Sequence, residues 1–363
     1  MKKYKVCVYA ICKNEEKFVK RWINSMKEAD EIYVLDTGSD DNSVNLLKEN
    51  GVHVKTKEIS PWRFDVARNE SLKMVPDDID ICVCTDLDEI FEKGWRESLE
   101  KIWEKSTNRI AYAYNWKLDE NNNPQISFYI EKIHSRNNYS WINPVHEILK
   151  WNIERPENKI KTDKIILNHY PDPTKSRSSY LPLLELSIKE DPTNDRNMHY
   201  LGREYMYYKE WEKCITTLKK HISMPNALWK DERCASMRFI ARSYKNLNKL
   251  NEARFWYKEA IKEAPYLRDP YIELAILEYE QKNWDEVYEQ CINASKITSH
   301  AKTYINEEFS WNNTIYDLLS ISSFYKGNLQ ESLEWLDKAI NMAPNDERLL
   351  NNKVIISNAL KDK

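Results

Sequence analysis

The chain has 363 residues, a formal net charge of −3, 13 tryptophans and only five glycines. This length suffices for two ordinary domains, each with its own core. The scarcity of glycine argues against a glycine-rich phosphate loop, and the small net charge argues against nucleic acid as a partner. The seven cysteines are scattered without metal-type spacing, and no stretch approaches about 18 apolar residues. We therefore expect a cytoplasmic protein with reduced thiols and no membrane span.

Short apolar runs alternate with amphipathic segments in the first half of the chain. The sequence predicts helices that begin after Asn14 and cover 39–51 and 65–75, and strands at 4–10, 31–36, 52–56 and 79–85. We expect Asn14 to cap the first helix and Gly51 to end the second. Strands separated by helices favour parallel pairing, whereas two apolar runs around "DENNNP" predict a hairpin. The predicted first domain is an α/β fold with a mixed sheet.

From residue 178 onward the pattern is helical and repeats. The steps from Ala253 to Val287 and from Ala260 to Ala294 are both 34 residues, the length of a tetratricopeptide repeat. We count about four repeats, closed by a capping helix over 347–360. The predicted domains are therefore 1–177 and 178–363, and the second is an all-α solenoid that offers a groove to a peptide or protein partner.

Acidic residues follow two of the predicted strands. Asp36 follows the second strand, and Asp86, Asp88 and Glu89 follow the fourth. Ligands of open parallel sheets bind at the carboxyl ends of the strands, so these acids are expected at one edge. They are either a polar turn that closes a strand or the hard oxygen ligands of a divalent metal.

Four motifs in this order resemble those of family 2 glycosyltransferases with the GT-A fold: "AICKNEE", "VLDTGSDDNS", "PWRFDVARNESL" and "CTDLDEI". The D-x-D motif of that family would be Asp86-Leu87-Asp88, and the resemblance covers about residues 1–175. With the added repeats, the chain is also similar to the glycocin-type S-glycosyltransferases, which modify peptide bacteriocins. The resemblance implies a GT-A catalytic domain with a Rossmann-like mixed sheet. It also implies a nucleotide-sugar donor, which we expect to be UDP-linked, and a divalent metal, Mn²⁺ or Mg²⁺.

The resemblance also implies roles for individual residues. Asp88 would be the metal ligand, His169 would complete the metal site and favour Mn²⁺, and Asp86 would face the ribose or share the metal. The residues expected to bind the nucleotide sugar are Ala10, Asp36, Asp65, Arg68, Asp86, Lys175 and Arg177. The structural alternatives are a helix N-cap for Asp36, a surface ion pair between Asp65 and Arg68, and a plain linker for Lys175 and Arg177.

Inverting transfer also needs a base near the acceptor. The segment "NPVHEIL" places His146 and Glu147 together after the hairpin. We favour Glu147 as the base or as the group that orients the acceptor, and His146 is open to either role. The structural alternative is a core histidine beside a solvent-exposed charge.

Three functions are compatible with these features. The first is an inverting, metal-dependent glycosyltransferase that moves a sugar to a Cys, Ser or Thr side chain of a peptide or protein held by the repeats. The second is transfer to a lipopolysaccharide core, cell-wall or capsule glycan, with the repeats forming a homodimer or a scaffold. The third is a non-catalytic adaptor, against which the intact acidic strand ends argue.

Overall fold

The computed structural model of the protein describes residues 3–175, 178–300 and 303–361. The chain divides into two compact units, one that ends at Ser187 and one that begins at Ile188. The division falls inside a helix, Tyr180–Glu190. The predicted boundary between residues 177 and 178 precedes this helix and stays a prediction.

The first unit alternates strands and helices and then continues mainly as strands. In chain order its elements are β1 (Val6–Cys12), α1 (Glu16–Met26), β2 (Glu31–Asp36), α2 (Ser43–Glu49), β3 (His53–Thr56), α3 (Phe64–Leu72), β4 (Ile81–Cys84), β5 (Glu89–Phe91), α4 (Trp95–Ile102), β6 (Arg109–Leu118), β7 (Pro124–Ser135), β8 (Tyr139–Ile142), β9 (Ile148–Trp151) and β10 (Lys159–His169). The helix Tyr180–Glu190 is α5. The short strand β5 and the helix α4 were not predicted from the sequence.

The sheet of the first unit is mixed, as predicted. Among the described residues its order is β3-β2-β1-β4-β7-β6-β10-β5, and β8 pairs separately with β9. Strands β3, β2, β1 and β4 are parallel, whereas β7 runs antiparallel to both β4 and β6. Strand β1 lies between β2 and β4. The chain passes from β1 to β2 and β3 on one side, and then crosses back to place β4 on the other side of β1. This is the switch point at which open sheets bind ligands.

The central strands are buried on both faces. Every residue of β4 is buried, and Cys82 and Cys84 pack with Tyr9 and Trp141 in one apolar cluster. All seven cysteines are buried and free of disulfide bonds. The structure therefore places Cys82 and Cys84 in the core.

The prediction that Asn14 caps α1 is wrong. Asn14 has a left-handed backbone, with φ of 54°, and its side-chain oxygen accepts a hydrogen bond from the amide of Asp40. The amide of Glu15 instead donates to Ser43 Oγ, and the amide of Glu16 donates to Asp41. Side chains of Asp41, in the loop before α2, and of Ser43, the first residue of α2, thus accept hydrogen bonds from the start of α1.

The second unit consists of paired helices. After α5 they are α6 (Asp195–Tyr207), α7 (Trp211–Ser223), α8 (Lys230–Asn246), α9 (Leu250–Glu263), α10 (Asp269–Glu280), α11 (Trp284–Ser295), α12 (Thr314–Tyr325), α13 (Leu329–Met342) and α14 (Glu347–Lys361). The helices α6 to α13 form four successive pairs and α14 follows them, while the assignment of four tetratricopeptide repeats and a capping helix stays a prediction. Ala253 and Ala260 on α9, like Val287 and Ala294 on α11, are fully buried. Among the described residues, no helix is long and apolar enough to cross a bilayer.

Replacing Gly202 by alanine is expected to destabilise the repeats by about 1–3 kcal/mol, because overpacking displaces neighbouring side chains. A Cβ atom at Gly202 on α6 would lie 2.2 Å from Leu218 Cδ2 on α7. Urea unfolding followed by circular dichroism measures the effect. The double variant with Leu218→Ala should lose less stability than the two single changes added together. Additive losses would contradict the proposed contact.

Candidate active site

Two carboxylates lie where strands end at the switch point. Asp36 ends β2 and is buried, and its carboxylate accepts hydrogen bonds from the amides of Gly38 and Ser39 at 3.3 and 3.1 Å. Asp36 therefore stabilises a turn, whereas α2 begins only at Ser43, so the helix N-cap alternative is wrong. Ala10 lies on β1, fully buried and opposite Val34 of β2.

Asp86, which follows β4, is the centre of a chain of five charged side chains. Arg68 Nη2 donates to one of its carboxylate oxygens at 2.6 Å, and Lys132 Nζ donates to the other at 3.0 Å. Arg68 Nε also donates to Glu147 at 3.0 Å, and Lys132 lies 3.4 Å from Glu89. We call Glu147, Arg68, Asp86, Lys132 and Glu89 the charge chain. The single guanidinium of Arg68 thus binds both Glu147, the predicted base, and Asp86, a predicted nucleotide-binding residue.

Burial and charge act in opposite directions on these carboxyl groups. Burial by itself raises the pKa of Asp86, but Arg68 and Lys132 outweigh it and hold that pKa well below its ordinary value. Burial dominates at Glu89, whose pKa is raised although Lys132 opposes the shift. The Asp86 side chain keeps 35% of its surface exposed, so an ionised carboxylate faces the ligand side of the sheet.

Asp65 and Arg68 are both on α3 but have different partners. Asp65 forms a two-point ion pair with Arg63, at 3.0 and 2.9 Å. Arg68 is buried and points to the end of β4. The surface ion pair between Asp65 and Arg68, which was the structural alternative, is therefore wrong.

Asp88 and His169 meet at the end of the sheet. Their Oδ2 and Nε2 atoms are 3.4 Å apart, because β5 pairs with the last residues of β10 and the Tyr170 amide donates to the Asp88 carbonyl. His169 Nδ1 lies 3.1 Å from the Trp116 carbonyl, and the His169 ring stacks on Trp116. Burial by itself lowers the pKa of His169, but its interaction with Asp88 raises the pKa above the ordinary value.

This pair fits a divalent cation better than the D-x-D motif as a whole does. A neutral His169 whose Nδ1 proton is held by the Trp116 carbonyl presents the Nε2 lone pair beside a carboxylate oxygen, which suits a metal ion. Both oxygens of Asp86 are instead engaged by cations. Among the described residues no group of three or more His, Cys, Asp or Glu side chains has a metal-binding arrangement. Asp88 and His169 are thus the two paired side chains here that could hold a cation, and Asp86 as a further metal ligand stays a prediction.

Lys175 contacts Glu15, which follows β1. The Lys175 Nζ atom forms an ion pair with one Glu15 oxygen, and the other Glu15 oxygen is buried without a hydrogen-bond partner. Burial raises the pKa of Glu15 to about 7, although Lys175 lowers it. Lys175 therefore lies beside the switch point. Arg177 lies outside the described residues.

His146 and Glu147 point to different neighbours. His146 has a left-handed backbone, with φ of 50°, and its ring meets Tyr180 edge-on at 5.7 Å. Glu147 joins the charge chain through Arg68. The structure therefore connects Glu147 to the end of β4 through Arg68 and places the His146 ring against Tyr180.

Lys132 and Glu15 near this site were not assigned a role in sugar transfer from the sequence, and Trp116 was considered only as one of several tryptophans that could form a platform for the sugar ring. Lys132 gave only a weak signal, since the predicted strand that contains it also carries Glu131 beside it. Glu15 was placed only at the start of a helix, where acids are common. Trp116 is 44% exposed although it stacks on His169, and a tryptophan in a strand gives no hint of that exposure.

The first unit thus combines an open mixed sheet with two carboxylates near its switch point, Asp36 at the end of β2 and Asp86 after β4. The sequence model of Glycosyl transferase family 2 matches residues 7–167, and a tetratricopeptide-repeat model matches residues 239–266. Residues 7–167 therefore match a family 2 glycosyltransferase domain, and a match to a tetratricopeptide repeat lies among the helices that follow it. The predicted fold class, a GT-A domain followed by an all-α solenoid, is confirmed. His169 and Lys175 lie beyond the matched range.

Solved repeat proteins are similar to this chain at low identity. MamA is 16% identical, over 47% of this chain and 85% of that protein, with a TM-score of 0.37. YrrB, described as a TPR protein with an unusual peptide-binding site, is 15% identical over 48% and 82%, with a TM-score of 0.36. The C-terminal part of a TPR repeat-containing protein from Cytophaga hutchinsonii is 10% identical over 51% and 67%, with a TM-score of 0.42. No curated protein matches the chain significantly.

Proposed function

We propose that the protein is an inverting glycosyltransferase that moves a sugar from a nucleotide sugar, UDP-linked in our preferred version, to a Cys, Ser or Thr side chain of a peptide or protein. The observation that carries the proposal is the placement of the Asp88–His169 pair and the charge chain at one edge of a family 2 domain. The repeats are proposed to bind the acceptor. A glycocin-type substrate, a homodimer and a cytoplasmic location stay predictions.

Each group in the site has a separate task in this proposal. A Mn²⁺ or Mg²⁺ ion held by Asp88 and His169 would neutralise the diphosphate as it leaves. Asp86 is held ionised and fixed by Arg68 and Lys132, so its exposed oxygen surface can accept hydrogen bonds from the ribose hydroxyls. Asp36 and the backbone at Ala10 lie beside β1, where the base is proposed to bind. Asp65 would hold Arg63 in position beside the nucleotide. Lys175 would break its ion pair with Glu15 and bind the diphosphate.

The base removes one proton from the acceptor. As the acceptor sulfur or oxygen forms its bond to the anomeric carbon, the bond from that carbon to the phosphate oxygen breaks and the acceptor proton passes to the base. Glu147 is proposed for this role, since Arg68 holds it in a fixed position relative to Asp86.

Replacing Glu147 by glutamine is expected to lower the rate of transfer about 10²–10⁴-fold, the usual contribution of a general base. Binding of Mn²⁺ and nucleotide, measured by calorimetry, should change little, because the amide keeps a hydrogen bond to Arg68. His146→Asn is the parallel variant, since asparagine tolerates a left-handed backbone. A larger loss of rate in His146→Asn than in Glu147→Gln would contradict the assignment.

The acceptor class can be tested by intact-mass analysis. The full chain is incubated with Mn²⁺, a mixture of UDP- and GDP-sugars, and peptides or proteins that carry Cys, Ser or Thr. The proposal predicts that the acceptor mass increases by one sugar residue. If lipopolysaccharide-core or capsule oligosaccharides gain the sugar and no peptide or protein does, the acceptor part of the proposal is wrong.

A further inference from the structure

The connection between α11 and α12 lies against helices that are distant in sequence. Its residues 303–307 contact α6, α8 and α10, the first helices of three successive pairs. The contacts of Arg238 and Arg242 with Glu307 join residues 69 and 65 positions apart. A segment that served only to link α11 to α12 would not need these partners.

Two side chains of this segment, Tyr304 and Glu307, form polar contacts with the helices. The Tyr304 hydroxyl donates to the carboxylate of Glu232 on α8, and Arg196 of α6 lies over the Tyr304 ring at 5.1 Å. Glu307 accepts hydrogen bonds from Arg238 at 3.0 Å and from Arg242 at 2.6 Å.

The main chain of the segment is also recognised. Arg238 Nη1 donates to the Ile305 carbonyl at 3.2 Å, and the Glu307 amide donates to Asp269 on α10 at 2.7 Å. Ile305 is 5% exposed. Hydrogen bonds to both a carbonyl and an amide indicate that the occupant of this surface is a polypeptide.

Charge balance shows what such an occupant must carry. Arg238 is completely buried and Arg242 is three-quarters buried, and both also bind Glu273 on α10. Without Glu307, two guanidinium groups would share the Glu273 carboxylate, and an underpaired buried charge is costly. Glu232 lies 3.4 Å from His221 Nε2 through one oxygen and accepts the Tyr304 hydroxyl at the other, so an occupant with a hydroxyl donor completes its hydrogen bonds.

We propose that this surface, formed by Arg196, Glu232, Arg238, Arg242 and Asp269, is a binding site for an extended protein segment with a tyrosine followed three residues later by an acid. In this structure residues 303–307 occupy the site, as an internal ligand that a partner protein displaces. The proposal concerns peptide binding by the repeats and does not depend on sugar transfer.

Fluorescence polarisation with a labelled peptide, Tyr-Ile-Asn-Glu-Glu, tests the proposal. The variant Tyr304→Phe with Glu307→Gln keeps the shape of the internal segment but removes its hydroxyl and its carboxylate. We expect this variant to bind the peptide at least about tenfold more tightly than the unaltered chain, where a tethered competitor acts at a high effective concentration. Adding Arg242→Ala should abolish the gain.

Two controls define the specificity. The peptide Phe-Ile-Asn-Gln-Glu should bind neither protein, and Arg348→Ala, which removes an exposed ion pair with Asp317, should leave binding unchanged. If the double variant keeps its helical circular dichroism but binds the peptide no more tightly than the unaltered chain, the proposal is wrong. It is equally wrong if Arg242→Ala has no effect.

Hydrogen exchange on the unaltered chain gives a second measurement that needs no variant. Millimolar peptide should speed exchange of the Glu307 amide, because displacement of the segment breaks its bond to Asp269. An exchange rate that millimolar peptide leaves unchanged would overturn the proposal even if the double variant failed to fold.

Discussion

In the Asp88→Asn variant, nucleotide release from the donor is expected to fall about 10²–10³-fold, the cost of losing one preorganised charge-stabilising group. Asparagine keeps the size of the side chain but removes the charge that faces His169 Nε2 at 3.4 Å. The variant should also bind Mn²⁺ more weakly in calorimetry, which is a readout independent of turnover.

Asp163→Asn is the matched control, because Asp163 lies on β10, the strand that carries His169, but is exposed. It should retain the activity and the Mn²⁺ affinity of the unaltered chain. If Asp88→Asn retained both as well, Asp88 would not be a metal ligand.

Arg68→Met is expected to destabilise the first unit by about 3–5 kcal/mol, the usual cost of breaking a buried ion pair from one side. The change leaves Asp86 without its 2.6 Å partner and Glu147 without its 3.0 Å partner. Urea unfolding followed by tryptophan fluorescence measures the loss.

Arg63→Met is the comparison for this variant, since Arg63 pairs with Asp65 at a position where its side chain is 23% exposed. Its loss should be at most about 1 kcal/mol, as for other partly exposed pairs. Adding Glu147→Gln to Arg68→Met should recover part of the stability, because one stranded charge is removed. Equal losses in the two arginine variants would contradict the network.

The periodic parts of the chain were predictable from the sequence. Strand β2 was predicted with its observed limits, because a buried parallel strand is a short apolar run between turn signals. The repeats were predictable since successive pairs from α9 onward place small buried residues, such as Ala260 and Ala294, at the same positions. Parallel pairing also indicated that Asp36 and Asp86 would end at one edge.

The distances within the site were not predictable. Asp88 meets His169 through β5, a strand of three residues that is too short to give a periodic pattern. Arg68 and Glu147 are 79 residues apart in sequence, and nothing local distinguishes them from surface charges. The roles of Asp88 and His169 were therefore predicted by resemblance, whereas their neighbours required a structure.

Asp86 illustrates the same division between motif and structure. The D-x-D pattern allowed it to be either a metal ligand or a ribose contact. The positions of Arg68 on α3 and Lys132 on β7 favour the second role, because they engage both carboxylate oxygens. The spacing of the motif cannot distinguish these two roles, because Arg68 and Lys132 reach Asp86 only in the folded domain.

The central claim is that this edge of the first unit is a metal-dependent nucleotide-sugar site. Its most direct test is nucleotide release from a panel of UDP- and GDP-sugars incubated with the full chain, with and without Mn²⁺. The account predicts release from at least one donor, which requires Mn²⁺ and is lost in Asp88→Asn. It would be contradicted if no donor released nucleotide and none, with Mn²⁺, raised the melting temperature of the unaltered chain above that of Asp88→Asn.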